Sequence, residues 1–288
     1  MVADNCSARV LLYTRRMSIT KAIIPVAGWG TRSLPITKAI EKCMLPIGNR
    51  PLVDYVVQDC LAAGINEIFF VVGEDSDQLE NYYRSNIKLI DYLKRNGKDD
   101  MIPMIAPLSG VKLHFVVQSS YGKYGTAIPV ALVADQIPEG ESVVVLMGDD
   151  FIYTEDGSRE TARLIEAAGD NSAMLAVEVP QESVSRYGVI EMDVNNHFVQ
   201  IVEKPIPEEA PSNLINVSKY VLNSDAIAAI RRYATTDRTE EYYITDPINE
   251  YVAGGGVLSV VPAKGQFLDG GSVEGWLHAN NVVVGSSK

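Results

Sequence analysis

Gly28-Trp29-Gly30, with Arg32, Lys38 and Lys42 close behind, is the first group of residues in this 288-residue chain equipped for chemistry. Glycines let backbone N–H groups approach an anion closely and turn toward it, and three cations at these spacings could surround a polyanion. A glycine loop followed by three cations asks for a nucleoside triphosphate. Further on, the apolar run Val143-Val144-Val145-Leu146-Met147 ends in Gly148-Asp149-Asp150. Ligands of open α/β sheets bind beyond the carboxyl ends of such strands, and hard cations prefer carboxylate oxygen, so Asp149 is the natural first Mg²⁺ ligand. Asp150 reads as a supporting or merely solvated neighbour. Two familiar phosphate loops do not fit. The dinucleotide fingerprint needs a third glycine where Ser33 stands, and Gly, four residues, Gly-Lys-Ser/Thr occurs nowhere.

The elements that must position these residues follow from periodicity. Ile23, Ile24 and Val26 form a buried strand that delivers the glycine loop. After the turn Gly48-Asn49-Arg50-Pro51, a stripe of Leu52, Tyr55, Val56, Asp59, Cys60 and Ala63 predicts a helix ending at Gly64, and 65–72 is again a buried strand. Strand, helix, strand with short links implies a right-handed crossover and a parallel sheet. The pattern predicts helices over 77–95, 158–168, about 224–233, 240–253 and about 273–282. Strands are predicted at 113–117, 141–147, 173–179, 198–202, 220–222 and 257–261, with 267–271 closing the sheet core. Residues 96–110 read as a loop, either an active-site cover or a surface excursion. The fold class is α/β, doubly wound, with a mostly parallel central sheet and a smaller β-rich region.

Composition narrows the function. A formal net charge of −12 argues against a nucleic-acid surface, which demands a basic face. No apolar run approaches the roughly 18 residues of a membrane span. Cys6, Cys43 and Cys60 lack metal-ligand spacing and cannot all pair, which suits a reducing cytoplasm; Cys43 reads as an unreactive filler. Residues 1–19 read as an N-terminal extension. Val10-Leu11-Leu12-Tyr13 precedes Arg15 and Arg16 and is too short for a signal peptide, and Met17 lies just before the first strand.

Gly-x-Gly-Thr-Arg, then Leu-Pro-x-Thr-Lys-Ala and Lys-x-Met-Leu-Pro, resembles the signature of the sugar-1-phosphate nucleotidyltransferases, most closely their bacterial uridylyltransferase branch, and matches recur from Lys21 to about Gly271. The resemblance implies a Rossmann-like nucleotidyltransferase fold with a β-rich sugar-binding region. Residues 20–288 would form one domain: 20–150 mainly nucleotide-binding, 151–271 mainly sugar-phosphate-binding, and 272–288 a C-terminal helix. It further implies transfer of a uridylyl group from UTP to glucose-1-phosphate, giving UDP-glucose and pyrophosphate. In that register Ala27, Gly28, Gly30, Thr31, Gln118 and Gly125 bind nucleotide, and Arg32, Lys42 and Lys204 are catalytic. Gly188 in Tyr-Gly-Val and Glu203-Lys204 in Glu-Lys-Pro meet the sugar and its phosphate, while Asp149 and Asp269 hold Mg²⁺. A homodimer or homotetramer, without nucleic acid or membrane, is also implied.

The chain departs from the uridylyl pattern at Glu41-Lys42-Cys43, at Thr126 where a histidine is common, at Tyr243 where a glutamine is usual, and at Gly148-Asp149, which is closer to the thymidylyl branch. A glucose-1-phosphate thymidylyltransferase using dTTP is therefore the first alternative. A non-catalytic sugar-nucleotide-binding regulatory protein is the second, opposed by the presence of Arg32, Lys42, Asp149 and Lys204. A nicotinamide-dependent oxidoreductase is disfavoured by Ser33.

Overall fold

The computed structural model describes residues 19–157 and 159–286, so the 1–19 extension lies, but for Ile19, outside the described residues. The strand predicted before the glycine loop is β1 (Lys21–Pro25), whose Ala22, Ile23 and Ile24 expose no surface. It lies between β4 (Glu67–Val72) and β6 (Val143–Leu146), parallel to both, and β5 (Lys112–Val117) extends the parallel set beyond β4. Strands covered on both faces must be apolar throughout, which is why they read as unbroken runs. A short hairpin, β2 (Pro46–Ile47) and β3 (Arg50–Pro51), leads into α1 (Leu52–Ala62), and Pro51 caps that helix.

Successive side chains of a strand point to opposite faces. Ile24, Ile68, Phe70 and Val144 accordingly pack on one face with Val53 and Val57 of α1 and Leu164 of α5 (Glu160–Ala168). Ile23, Phe69, Val71 and Val145 pack on the other with Val130 of α4 (Ala127–Val133), Ile230 of α6 (Ser224–Thr235) and Ile248 of α7 (Thr245–Ala253). Helices thus cover both faces, as a doubly wound fold requires.

Beyond β6 the sheet turns antiparallel. β11 (Leu214–Leu222) pairs with β6, with β8 (Ser172–Glu178) and with β9 (Gly188–Met192). β10 (Phe198–Glu203) closes one edge against β9, and β12 (Leu258–Pro262) runs parallel to β8. β7 (Asp150–Tyr153) and β13 (Gln266–Asp269) form a separate two-stranded ribbon, followed by α8 (Val273–Gly285).

Several expectations are corrected. The helix predicted over 77–95 is two, α2 (Gln78–Tyr83) and α3 (Ile87–Arg95), because Arg84 is extended and Asn86 starts a new helix by accepting from the Leu89 N–H at 3.0 Å. Loop 96–110 contains a 3-10 turn, Asp99–Ile105. Residues 267–271 do not close the main sheet, since β13 pairs with β7 instead. The helix predicted from 240 begins at Thr245, because the backbone of Tyr242 is engaged elsewhere: its N–H donates to Tyr124 O and its carbonyl accepts from Ala127 N. β11 is much longer than 220–222 and carries a bulge between Asn216 and Tyr220. Ser218 sits there at φ 50°, its N–H bonded to Asn216 Oδ1 at 2.9 Å, and the bulge accompanies a buried Lys219.

Candidate active site

The glycine loop leaves β1 after Val26 N–H bonds to Val71 O, and Trp29 at its tip is 69% exposed. Gly28 faces open space, with nothing within 4 Å of where a Cβ would stand, so its backbone is accessible to a ligand. Gly30, at φ 63°, folds the chain back on itself: Ser33 N–H and the Thr37 hydroxyl both donate to its carbonyl. Thr31–Ser33 and Lys42–Met44 are single 3-10 turns, with Thr31 exposed beside Arg32.

These turns bring two of the three predicted cations together. A methyl group on Gly271 would lie 2.8 Å from Arg32 Nη2, 3.2 Å from Lys42 Nζ and 2.7 Å from Asp269 Oδ1, which marks the centre of a cluster. Lys38 is exposed and forms no ion pair among the described residues, so it stays outside the cluster. Asp149, just beyond the end of β6, is ion-paired with Lys42 and its side chain is 36% exposed. Burial works against its ionisation, but Lys42, Lys219 and Arg32 outweigh it and hold the carboxyl below the usual range. Asp269 Oδ1 accepts from Gly271 N–H at 2.7 Å, and Arg186 reaches its other oxygen at 3.7 Å.

Asp150 is not solvated. Its carboxylate is ion-paired with Lys219, which also donates to its carbonyl at 3.2 Å. Burial, only partly offset by Lys219, pushes the carboxyl up to about 7. Cys43 is buried and unpaired, and burial raises its thiol far beyond reactivity, as expected of a filler.

Of the residues expected to meet the sugar, Gly188 and Glu203 face one another in the β9–β10 ladder, and a methyl at 188 would stand 2.9 Å from Glu203 Oε2. Burial raises the Glu203 carboxyl against the opposing pull of Lys204. Lys204 is exposed, with φ 46°, and its Nζ lies 3.4 Å from the Tyr243 hydroxyl. Of the residues expected to meet the base, Gln118 leaves β5 with its N–H bonded to Val72 O, while its buried Oε1 has no hydrogen-bond partner among the described residues. Gly125 has φ 119°, and a Cβ there would stand 2.5 Å from Tyr242 N and O.

Residues 242–245 link the two sets: Tyr242 lies against Gly125, Tyr243 beneath Lys204, Ile244 N–H donates to Thr126 Oγ1, and Thr245 reaches Glu203. The sequence reading missed Tyr243, Lys219 and Arg186 as site neighbours. Lys219 carried a signal as a lysine in a mostly apolar strand, and Tyr243 as a departure where a glutamine is usual. Among the described residues no group of three or more His, Cys, Asp or Glu side chains is arranged to hold a metal ion by itself. A hard divalent cation nonetheless suits Asp149 and Asp269, because such ions use one or two carboxylates and take further oxygens from substrate phosphates and water.

Comparisons with known proteins identify the family. The family model described as nucleotidyl transferase matches residues 21–284. A UTP–glucose-1-phosphate uridylyltransferase of Streptococcus pyogenes serotype M1 is 35% identical over 240 residues, covering 80% of this chain and 78% of the relative. Among solved structures, the UTP-bound UGPase from Acinetobacter baumannii superposes with a TM-score of 0.83 at 28% identity, covering 94% of each chain. A UDP-glucose pyrophosphorylase complexed with UDP-glucose gives 0.78 at 29% identity, covering 93% of this chain and 99% of that one. The family match along nearly the whole described chain, together with a relative 35% identical over four fifths of it, places this protein in the nucleotidyl transferase family.

Proposed function

We propose that this protein transfers the uridylyl group of UTP to glucose-1-phosphate, releasing pyrophosphate and UDP-glucose. The observation that carries this reading is the convergence of Arg32, Lys42 and Asp269 on Gly271, with Asp149 held by Lys42 beyond the end of β6. Likeness to a UTP-bound and a UDP-glucose-bound structure supports uridine and glucose. The thymidylyl-like Gly148 has a local cause, since a methyl there would collide with Val26 and approach Ile24, and it carries no argument for dTTP.

In this reaction an oxygen of the sugar phosphate attacks the α-phosphorus in line and pyrophosphate leaves. The nucleophile is already ionised at neutral pH, so no general base is needed, and catalysis rests on positioning and charge neutralisation. The backbone of Ala27, Gly28, Gly30 and Thr31 cradles the triphosphate. Arg32 holds the β and γ phosphates and stabilises the charge that grows there. Lys42 exchanges its contact with Asp149 for a phosphate oxygen. Gln118, whose buried acceptor lacks a partner, and Gly125 hold the uracil edge. Gly188 and Glu203 meet sugar hydroxyls, and Lys204 holds the attacking phosphate. Asp149 and Asp269 are the residues that would hold Mg²⁺, which when bound neutralises charge on the triphosphate oxygens.

The reading extends to a cytoplasmic homodimer or homotetramer built from one domain, 20–288. Among the described residues no helix is long and apolar enough to cross a membrane. The deciding experiment is pyrophosphate release from glucose-1-phosphate and Mg²⁺ with UTP, dTTP, CTP, GTP or ATP. Preference for UTP is expected. Preference for dTTP would move the protein to the thymidylyl reaction, and silence with every nucleotide in folded protein would favour a binding role without catalysis.

A further inference from the structure

We propose that Tyr243 is a positioning residue for Lys204, an aromatic platform that aims the lysine at the sugar phosphate while leaving its charge unneutralised. The proposal rests on the reading of Lys204 as the ligand of that phosphate. The Lys204 backbone is fixed: it occupies the left-handed region at φ 46°, its N–H donates to Tyr187 O at 3.0 Å, and Pro205 behind it is buried. Such a conformation is costly for a residue with a side chain and persists only where its surroundings impose it. The side chain beyond is an exposed, flexible stem.

Tyr243 restrains that stem. Lys204 Nζ stands 5.2 Å from the centre of the Tyr243 ring and 3.4 Å from its hydroxyl, within reach of a cation–π contact. The platform is itself rigid, because both backbone neighbours are tied to the base-side loop. Tyr242 bonds to Tyr124 and Ala127, and Ile244 N–H to Thr126 Oγ1 at 2.9 Å.

The chemistry of the floor matters. Glu203 and Glu241 both lie near enough to act on this end of the site electrostatically, and either would draw a free ammonium into an ion pair. A carboxylate partner cancels the charge a phosphate needs. The ring attracts the cation without cancelling its charge, and apart from the one N–H given to the Tyr243 hydroxyl at 3.4 Å its donors are left for the incoming anion.

The test is steady-state kinetics of the full chain with each substrate varied at saturating levels of the other. For Tyr243→Leu, the KM for glucose-1-phosphate should rise about fivefold, with the KM for UTP within about twofold of wild type. Tyr243→Phe keeps the ring and should stay within about threefold for both. In a Lys204→Ala background, Tyr243→Leu should add nothing further. If Tyr243→Leu does not fold, Tyr243→Gln carries the same expectations. Equal damage to both KM values, no change in the sugar-phosphate KM, or a full extra loss on top of Lys204→Ala would overturn the proposal. Lys204→Ala with wild-type kinetics would instead remove the assignment of Lys204; an impaired Lys204→Ala beside an unimpaired Tyr243→Leu removes the role of Tyr243 alone.

Discussion

At position 125 one added methyl group would stand 2.5 Å from two backbone atoms of Tyr242, in a conformation that side-chain-bearing residues rarely adopt. Neither the steric conflict nor the backbone strain can be relieved by a rotamer change, so Gly125→Ala should destabilise the protein by about 2 kcal/mol or more. It should also raise the KM for UTP about tenfold by displacing the base-side loop, which urea unfolding and UTP titration would read separately. Arg32 is exposed and supports little of the core, so Arg32→Gln should instead leave the unfolding midpoint unchanged. Its kcat should fall by about two orders of magnitude or more, because the lost interaction is one that strengthens as pyrophosphate departs. Retention of wild-type turnover would remove Arg32 from the reaction. Gly148 and Thr126, two departures from the uridylyl pattern, have local explanations in the Val26 contact and in the Ile244 N–H bond.

Between elements, single carboxylates do much of the tying. Glu41, the third departure, accepts from Asp77 N–H at 3.0 Å, Gln78 N–H at 2.8 Å and the Ser76 hydroxyl at 2.6 Å, anchoring the Lys42 turn to the start of α2. Glu41→Ala should cost about 1–2 kcal/mol, as loss of a helix-start acceptor does, with a fall in kcat through misplacement of Lys42. Unchanged stability and turnover would count against this anchor. Glu67 on β4 meets His114 at 2.9 Å and Lys112 at 3.0 Å on β5, and Lys21 at 3.9 Å on β1, joining three parallel strands at one end. The His114 hydrogen bond, then that of Lys112, holds the Glu67 carboxyl below its ordinary value of 4.5. Folding therefore favours the ionised form. Its stabilisation is fully present above the unfolded value and is lost as pH falls through the folded one. Urea midpoints should show Glu67→Gln less stable than wild type near neutral pH and the gap closing on acidification below 4.5. A gap that stays constant with pH would mean Glu67 acts by packing alone.

Across the described chain, residues before and after 150 share one sheet. β11 from the second half pairs directly with β6 of the first, and both cores draw side chains from both halves, Ile24 with Ile215 on one face and Phe69 with Tyr220 on the other. Neither half can lose its packing without exposing the other, so residues 20–286 should unfold as one cooperative unit. Far-UV circular dichroism and the fluorescence of Trp276, isolated by Trp29→Phe, should give coincident urea midpoints. Separate midpoints would divide the chain into two units. UTP at about a hundred times its dissociation constant should shift that single transition by about 2.7 kcal/mol.

What the sequence determined by itself is what short-range pattern encodes. The apolar runs of β1, β4 and β6 specify buried parallel strands, and the glycines and acids directly after them mark the proposed site, because strand ends and those residues are neighbours in the chain. The Gly188–Glu203 pairing was implied by the family resemblance, and the two face one another because one begins β9 and the other ends β10 of a single antiparallel pair. Tertiary structure decided the rest. Lys219 meets Asp150 across 69 residues and Lys204 meets Tyr243 across 39, contacts that no local period contains. Tyr242 reads as helix in sequence, yet its backbone groups bond the 124–127 loop, and that distant pairing outweighs local propensity. Lys38 shares the spacing of Arg32 and Lys42 but stays in solvent, because two 3-10 turns orient the loop and only the folded chain sets which cations face Asp149 and Asp269.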